Sequence, residues 1–340
     1  MKRPLKADAR ILIGLVFFLV GAAGAADKAP SLPEKSIAWA NLGYETTSDG
    51  LRDAVLEMGY QVHRRDLFWP YPEEKQRAWD LGIHAVVHSG ANPQSTYHGY
   101  KFTGELARKF SNRFLLNAVA GTHLIRTPDP TTSQIATHSI FAGDVSGYFH
   151  FNDLFDMRAG VAHDLVYTEL VQISNVSNAL AATTYGIDLT YHPYERWRLV
   201  SRNTYRVYSD TNERKDTDTS ILYGISTGVP WIWVGAGIEY LSFLKPESTY
   251  WTPDRFSAYG PRFEGDFPIE GNFSIAGGLN INRNQQDGLE GGWGYYASAK
   301  LRYGTREGSR IELGFQSILS QQRTGRWTGQ GYTLGYCGSF

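Results

Sequence analysis

The sequence predicts an all-β protein: a transmembrane antiparallel up-and-down β-barrel of about 16 strands behind a cleaved signal peptide. Three observations predict it. Apolar and polar side chains alternate with a period of two along most of the chain. The last strand has one aromatic face. The N-terminus is a basic stretch followed by an apolar one.

The leader comes first. Lys2, Arg3, Lys6 and Arg10 form a basic region, Ile11 to Val20 an apolar one, and Ala23-Gly24-Ala25 a small-x-small cleavage site with a cut after Ala25 or Ala26. The apolar stretch is about 15 residues, short of the ~20 that a spanning helix needs, so the pattern is a secretory signal peptide. The expected organisation is a signal peptide over 1–26, a short periplasmic tail over 27–35 and one barrel domain over 36–340.

Alternation then marks strands near 36–46, 51–64, 77–90, 96–109, 113–126, 136–150, 153–165 and 182–193, followed by 196–209, 216–228, 230–245, 256–267, 271–284, 291–303, 307–319 and 327–340. In the segment 293–303, Trp293, Tyr295, Ala297, Ala299, Leu301 and Tyr303 share one face, against Gly294, Tyr296, Ser298, Lys300 and Arg302. Aromatics at both ends of an apolar face, with small aliphatics between, match a membrane strand crossing two interfaces. Ile311, Leu313, Phe315 and Leu319 repeat the pattern against Glu312, Gly314 and Gln316. An even strand count places both termini on one side. Tight turns at 111–112, 193–195, 229–230 and 305–306 are expected to be periplasmic. Longer connections at 126–135, 166–181, 210–215, 246–255, 285–290 and 320–326 are expected to be extracellular. Two segments fit less simply: 63–76, rich in aromatics and Pro, and the apolar 166–180, which suits an extended hairpin or an inward plug.

Tyr332, Leu334, Tyr336 and Phe340 lie on one face of the last strand, with Thr333, Gly335, Cys337 and Ser339 on the other. A terminal Phe closing such a run resembles the end signal of bacterial outer-membrane barrels, which their assembly machinery reads. Gly338 departs from it, standing where that signal usually has a bulky residue.

Composition narrows the function. Aromatics make up 14% of the chain and there are 36 Gly, consistent with girdles outside and close packing inside. The formal charge is −1, and removing the basic leader makes the mature chain only mildly more acidic, which argues against a nucleic-acid partner. Cys337 is the only cysteine, so no intramolecular disulfide and no multi-Cys zinc site can form. No cofactor or metal is expected.

The alternation turns Arg198, Arg202 and Arg206 inward from one strand, with Asp188 on its neighbour. Arg158, Asp156, Lys300, Arg302, Glu312, Glu264, Asp144 and Glu105 also point in. Acids and bases interleave, and Tyr148, Tyr208 and Tyr296 accompany them. Such a wall suits a hydrated, neutral or zwitterionic solute better than a single-sign ion pore. The arginine ladder is a candidate for solute contact and, equally, for a cross-barrel ion-pair ladder. His84 and His88 share a face, where a metal pair is conceivable. His88 and Ser89 point to opposite walls and form no dyad, and no enzymatic activity is expected.

Two turn motifs stand out: Tyr208-Ser209-Asp210-Thr211-Asn212-Glu213-Arg214, and Tyr250-Trp251-Thr252-Pro253. Asp210 and Asn212 suit a tight turn, Arg214 is placed to pair with Asp210, and Pro253 fixes φ. Together with His163-Asp164-Leu165, Tyr185-Gly186-Ile187-Asp188 and Arg196-Trp197-Arg198-Leu199, their order resembles the C-terminal barrel of bacterial exopolysaccharide exporters, of the cellulose-synthase outer-membrane component and poly-N-acetylglucosamine export porin type. The resemblance covers most of 150–340. The tetratricopeptide scaffold of that family is absent from this sequence. The resemblance implies a channel for exopolysaccharide export in the bacterial outer membrane, with outer-membrane lipid, the barrel assembly machinery, a polysaccharide and a separate periplasmic scaffold as partners. A structural or accessory barrel without transport, or a general diffusion porin, are the alternatives.

Overall fold

The computed structural model describes residues 36–62, 80–93, 96–111, 113–128, 134–166, 179–248, 250–269, 271–289, 291–304, 309–322 and 325–339. The expected signal peptide and tail, the whole segment 63–76 and Phe340 lie outside the described residues.

Sixteen strands follow one another: β1 (Ile37–Thr47), β2 (Arg52–Val62), β3 (Asp80–Ala91), β4 (Thr96–Ser111), β5 (Phe114–Pro128), β6 (Ile135–Asn152), β7 (Phe155–Leu165), β8 (Ala181–Tyr194), β9 (Trp197–Tyr208), β10 (Glu213–Ser226), β11 (Trp231–Phe243), β12 (Phe256–Pro268), β13 (Phe273–Gln286), β14 (Gly292–Gly304), β15 (Arg310–Gln322) and β16 (Gly325–Ser339). Each pairs antiparallel with its chain neighbours, and β1 pairs with β16 from Ile37↔Ser339 to Thr47↔Gly329, closing the barrel. Closure leaves no sheet edge, so every strand finds its ladder hydrogen bonds within the wall, as hydrocarbon surroundings require.

The predicted strands are all present, and the expected faces hold at the closing seam. Leu42↔Leu334 and Tyr44↔Tyr332 point outward, Trp39↔Cys337 and Asn41↔Gly335 inward. Two connections are shorter than expected. β10 begins at Glu213, leaving only 209–212 after β9, and β15 and β16 are separated by 323–324. Asp216 and Asp218, within the predicted strand 216–228, are inward-facing positions of β10: Asp216 binds Arg214 on its own strand and Thr204 of β9, and Asp218 binds Arg262 of β12.

At the end carrying the termini, periplasmic in barrels of this type, a run of neighbouring phenylalanine rings crosses β4 to β7. Phe110–Phe114, Phe114–Phe149, Phe149–Phe151 and Phe151–Phe155 have centroids 5.5, 4.8, 6.2 and 5.3 Å apart. Trp197–Tyr223 and Phe273–Tyr303 continue this belt on β9–β10 and β13–β14. Ring pairs at one height form the interfacial girdle.

One outward sector is polar. Ser201 and Asn203 on β9 face out between Leu199 and Tyr205, opposite Thr219 and Thr217 of β10. The Ser201 and Thr219 hydroxyls lie 2.9 Å apart, the Asn203 amide donates to Ser201 Oγ at 3.1 Å, and Thr217 Oγ1 donates to Asn203 Oδ1 at 3.1 Å. The four satisfy one another, which is what lets them stand on a lipid-facing wall.

Candidate functional site

The inner wall divides into three regions. On β1–β7, carboxylates hold imidazoles. His84 Nε2 lies 2.7 Å from Glu57 Oε1, and His88 Nδ1 lies 3.0 Å from Asp53 Oδ2. His123 Nδ1 and Lys101 Nζ both lie 2.5 Å from Asp164. The His88 and His123 rings stack at 6.0 Å. His84 and His88 therefore share the inner face, as their spacing predicts, but each is bound to its own carboxylate. Among the described residues no group of three or more His, Cys, Asp or Glu is arranged to hold a metal ion.

On β9–β15 the charges pair across strands. Arg198 reaches Glu264 of β12 and lies over the Trp233 ring at 4.7 Å. Arg262 bonds Asp218, its side chain crossing Gly237, where a Cβ would lie 2.0 Å from the guanidinium Nε. Only glycine leaves room for that crossing. Arg302 pairs with Asp266 at 2.8 Å and approaches Glu312 at 3.5 Å, and Arg310 completes the group 2.8 Å from Glu312.

The predicted arginine ladder thus divides. Arg198 is an ion-pair strut. Arg202 is exposed to the lumen, in register between Asp188 and Asp218, and lines two cavities. Arg206 stands half-buried opposite Thr184 and Arg214. Asp188 also faces Arg158 on β7, and both border a hollow with Asp144. Lys300 is exposed, and Tyr296 lines the wall beside it.

The third region is apolar and sits at the end opposite the termini. Leu51, Tyr97, Ile125, Leu165, Val166, Leu180, Ala182, Tyr208, Leu241, Phe243, Tyr250 and Phe256 pack into one buried cluster, with Trp251 against it. The segment 166–180 contributes both its described ends to this cluster; its middle, 167–178, lies outside the described residues. Tyr208 belongs here too. It is buried against Phe243 and Tyr250.

The two turn motifs meet in this cluster. The Tyr250 hydroxyl donates to Asp210 Oδ2 at 2.8 Å and accepts from Asn212 Nδ2 at 2.9 Å. Asn212, fully buried, also donates to the Lys245 carbonyl at 3.1 Å and accepts from the Lys245 and Glu213 amides. Phe243 N donates to the Pro253 carbonyl. The expected Arg214–Asp210 pair does not form. Arg214 points inward along β10 and binds Asp216 at 2.8 Å, because adjacent inward positions on a strand are nearer than the turn behind them. Burial raises the Tyr250 hydroxyl above the ordinary tyrosine pKa, and the bond to Asp210 raises it further, against the Asn212 amide.

Below the cluster a cavity of about 600 Å³ opens against β9–β16 and the β1–β2 turn, lined among others by Arg202, Asp218, Glu239, Asn280, Tyr296 and Trp327. Its amide lining is not in the set of candidate pore residues read from the sequence. The signal that could have found it is the inward Asn280-x-Asn282-x-Asn284 series.

A closed sixteen-stranded antiparallel barrel with an apolar outer belt and a charged inner wall has the architecture of outer-membrane β-barrels. The structure of a bacterial polysaccharide outer membrane secretin matches with a TM-score of 0.69 at 11% identity, over 92% of this chain and 100% of that one. The CymD monoaromatic hydrocarbon channel matches at 0.51 and 8% identity, over 90% and 89% of the two chains. CdiB from Acinetobacter baumannii also matches at 0.51 and 8%, over 88% of this chain and 60% of its own. These are likenesses of fold. No family model and no curated protein matches the sequence.

Proposed function

We propose that the barrel passes a secreted polysaccharide across the bacterial outer membrane, alone or beside a separate periplasmic scaffold. One observation carries this reading: the wall from β7 to β15 is polar and interleaved in sign, with Arg202, Lys300 and Arg158 presented among Asp188, Asp218 and Glu239. A neutral or zwitterionic chain slides along such a wall exchanging hydroxyl contacts, whereas a single-sign ion would be repelled at alternate positions. The full-length likeness to a polysaccharide secretin supports it. A monoaromatic hydrocarbon, the cargo named for one fold relative, would find little apolar surface along that wall.

A second reading is a structural or accessory barrel without transport. It draws on the apolar cluster, which fills part of the lumen at the extracellular end.

Planar-bilayer recording tests both. The purified barrel should conduct, and a soluble neutral or zwitterionic polysaccharide added to one side should block the current in discrete events. A barrel that stays silent across the accessible voltage range overturns the channel reading in favour of the second. A conducting pore indifferent to polymers makes it a diffusion porin.

A further inference from the structure

The outward face of the barrel carries a basic patch at the end opposite the termini, the extracellular one. The row Tyr259↔Arg283↔Trp293 runs in register across β12, β13 and β14. Tyr259 is 48% exposed and Trp293 62% exposed, so the row faces out of the barrel. The next outward positions, further from the membrane centre, are Ser257 and Gln285, also paired in register. Beyond them stands Arg255, whose carbonyl accepts from Asp287 N at 2.8 Å and so continues the ladder past the end of β12.

The two arginines are positioned but not neutralised. The Arg283 guanidinium carbon lies 5.8 Å from the centre of the Trp293 ring. Gly291 makes room for it: a Cβ there would stand 3.2 Å from Arg283 Nε and 2.4 Å from the Asn284 carbonyl oxygen. Asp287, the carboxylate opposite Arg255, is engaged elsewhere. It accepts from the Arg255 backbone amide at 2.7 Å and from Gln286 Nε2 at 3.2 Å. Neither Arg255 nor Arg283 has an ion-pair partner among the described residues. The inner wall differs, since Arg198, Arg262 and Arg302 are each bound to a carboxylate there. The remaining outward rim at this end has the same sign. Arg52, Arg126, Lys215 and Arg326 are exposed on it, and its acid among the described strand positions, Glu213, is bonded by the Tyr205 hydroxyl.

The ligand class follows from this order of groups. A charge on the lipid face is tolerated at the interface and expensive at the midplane, so these arginines meet headgroups. A guanidinium lying over a ring keeps its edge N–H groups for paired bonds to phosphoryl oxygens. Arg255 and Arg283 stand about 13 Å apart along the strand direction, with a hydroxyl and an amide between them. Tyr259 and Trp293 mark the boundary between acyl chains and headgroups. Outward from the membrane the face therefore offers rings, a cation, uncharged polar groups and a second cation. A phosphorylated sugar headgroup on acyl chains presents the complement: hydrocarbon, phosphate and hydroxyls. We infer that the outward face of β12–β14 binds a phosphorylated glycolipid of the outer leaflet, with Arg283 and Arg255 on its phosphates and Ser257 and Gln285 on its sugar hydroxyls. This site is independent of what passes through the lumen.

The test is equilibrium binding to the full barrel folded in detergent, with retained lipid counted by native mass spectrometry. The probes are lipid A carrying its phosphates, the same lipid stripped of them, and phosphatidylglycerol. Phosphorylated lipid A should bind most tightly. Arg255→Gln combined with Arg283→Gln should weaken it about tenfold or more and leave the stripped lipid unchanged. Arg126→Gln, which removes a base at the same end on β5, should weaken it by less than about threefold. If the double variant does not fold, Arg283→Lys carries the test; it keeps the charge, loses the planar fork and should cost about threefold. Equal binding of the stripped lipid, binding unchanged in the variants, or an equal loss in Arg126→Gln each overturns the site. Preference for phosphatidylglycerol overturns the glycolipid as its occupant. Loss of an oligomer in the double variant, with lipid binding unchanged, assigns the patch to a second copy of the chain and overturns the lipid.

Discussion

The Tyr250 hydroxyl donates to the Asp210 carboxylate at 2.8 Å, tying the β11–β12 connection to the β9–β10 turn. Asn212 donates to the same phenolic oxygen and threads Lys245 into the network, so two connections far apart in sequence move as one unit above the lumen.

Tyr250→Phe keeps the ring against Tyr208 and Phe243 but leaves Asp210 and Asn212 each short of a partner. A hydrogen bond to a charged group contributes about 1.5–3 kcal/mol, and a local loss of that order should appear as faster proteolytic nicking between residues 246 and 255. The pH dependence has a fixed sign. The folded pKa of Tyr250 lies above the ordinary value of about 10, so folding favours the protonated phenol. Its contribution is whole below pH 10 and drains away as pH rises past it toward the folded value. Wild type should therefore lose protection of this loop in alkali, and Tyr250→Phe should show less of that alkaline loss. An identical alkaline profile in the two would refute the lock.

The strands were legible because a period of two needs only the sequence, and residues 293–303 display it without interruption. Which inward charge meets which was not legible. Arg198 and Glu264 are 66 positions apart and three strands away, and their meeting depends on wall curvature, a property of the closed barrel. Asp210 illustrates the same limit. Arg214 is near it in sequence, but strand alternation sends Arg214 to Asp216, and the true partner arrives from the next extracellular connection. The Asn280, Asn282 and Asn284 series was visible, yet that it lines a cavity is a matter of shape, which a linear pattern does not carry.

Arg202 and Arg198 should separate function from stability. Arg202 is exposed between Asp188 and Asp218, so Arg202→Glu should shift the reversal potential toward cation preference while changing folding free energy by no more than about 0.5 kcal/mol. Arg198 is bound to Glu264 and covers Trp233. Arg198→Ala should cost up to about 1 kcal/mol, discounted because the Glu264 side chain is 39% exposed. Urea titration into vesicles and bilayer selectivity, run on both variants, read the contrast. An unchanged reversal potential in Arg202→Glu would remove that residue from the conduction path.

The outward polar quartet yields a double-mutant cycle. Thr217 donates to Asn203 Oδ1 at 3.1 Å on a face that otherwise meets hydrocarbon. Thr217→Val alone leaves that oxygen without its donor where no water can replace it, at a cost of about 1–3 kcal/mol. Asn203→Leu alone removes the amide and frees the two hydroxyls, which can turn to strand carbonyls, so its cost should be smaller. Combining the two replaces both partners with apolar groups and should be close to neutral, because the buried acceptor disappears along with its donor. The interaction energy from folding free energies in lipid vesicles should therefore be favourable and larger than the ~0.5 kcal/mol scatter of independent sites. Strict additivity would mean that water reaches this face, and that β9 and β10 turn it toward something other than lipid.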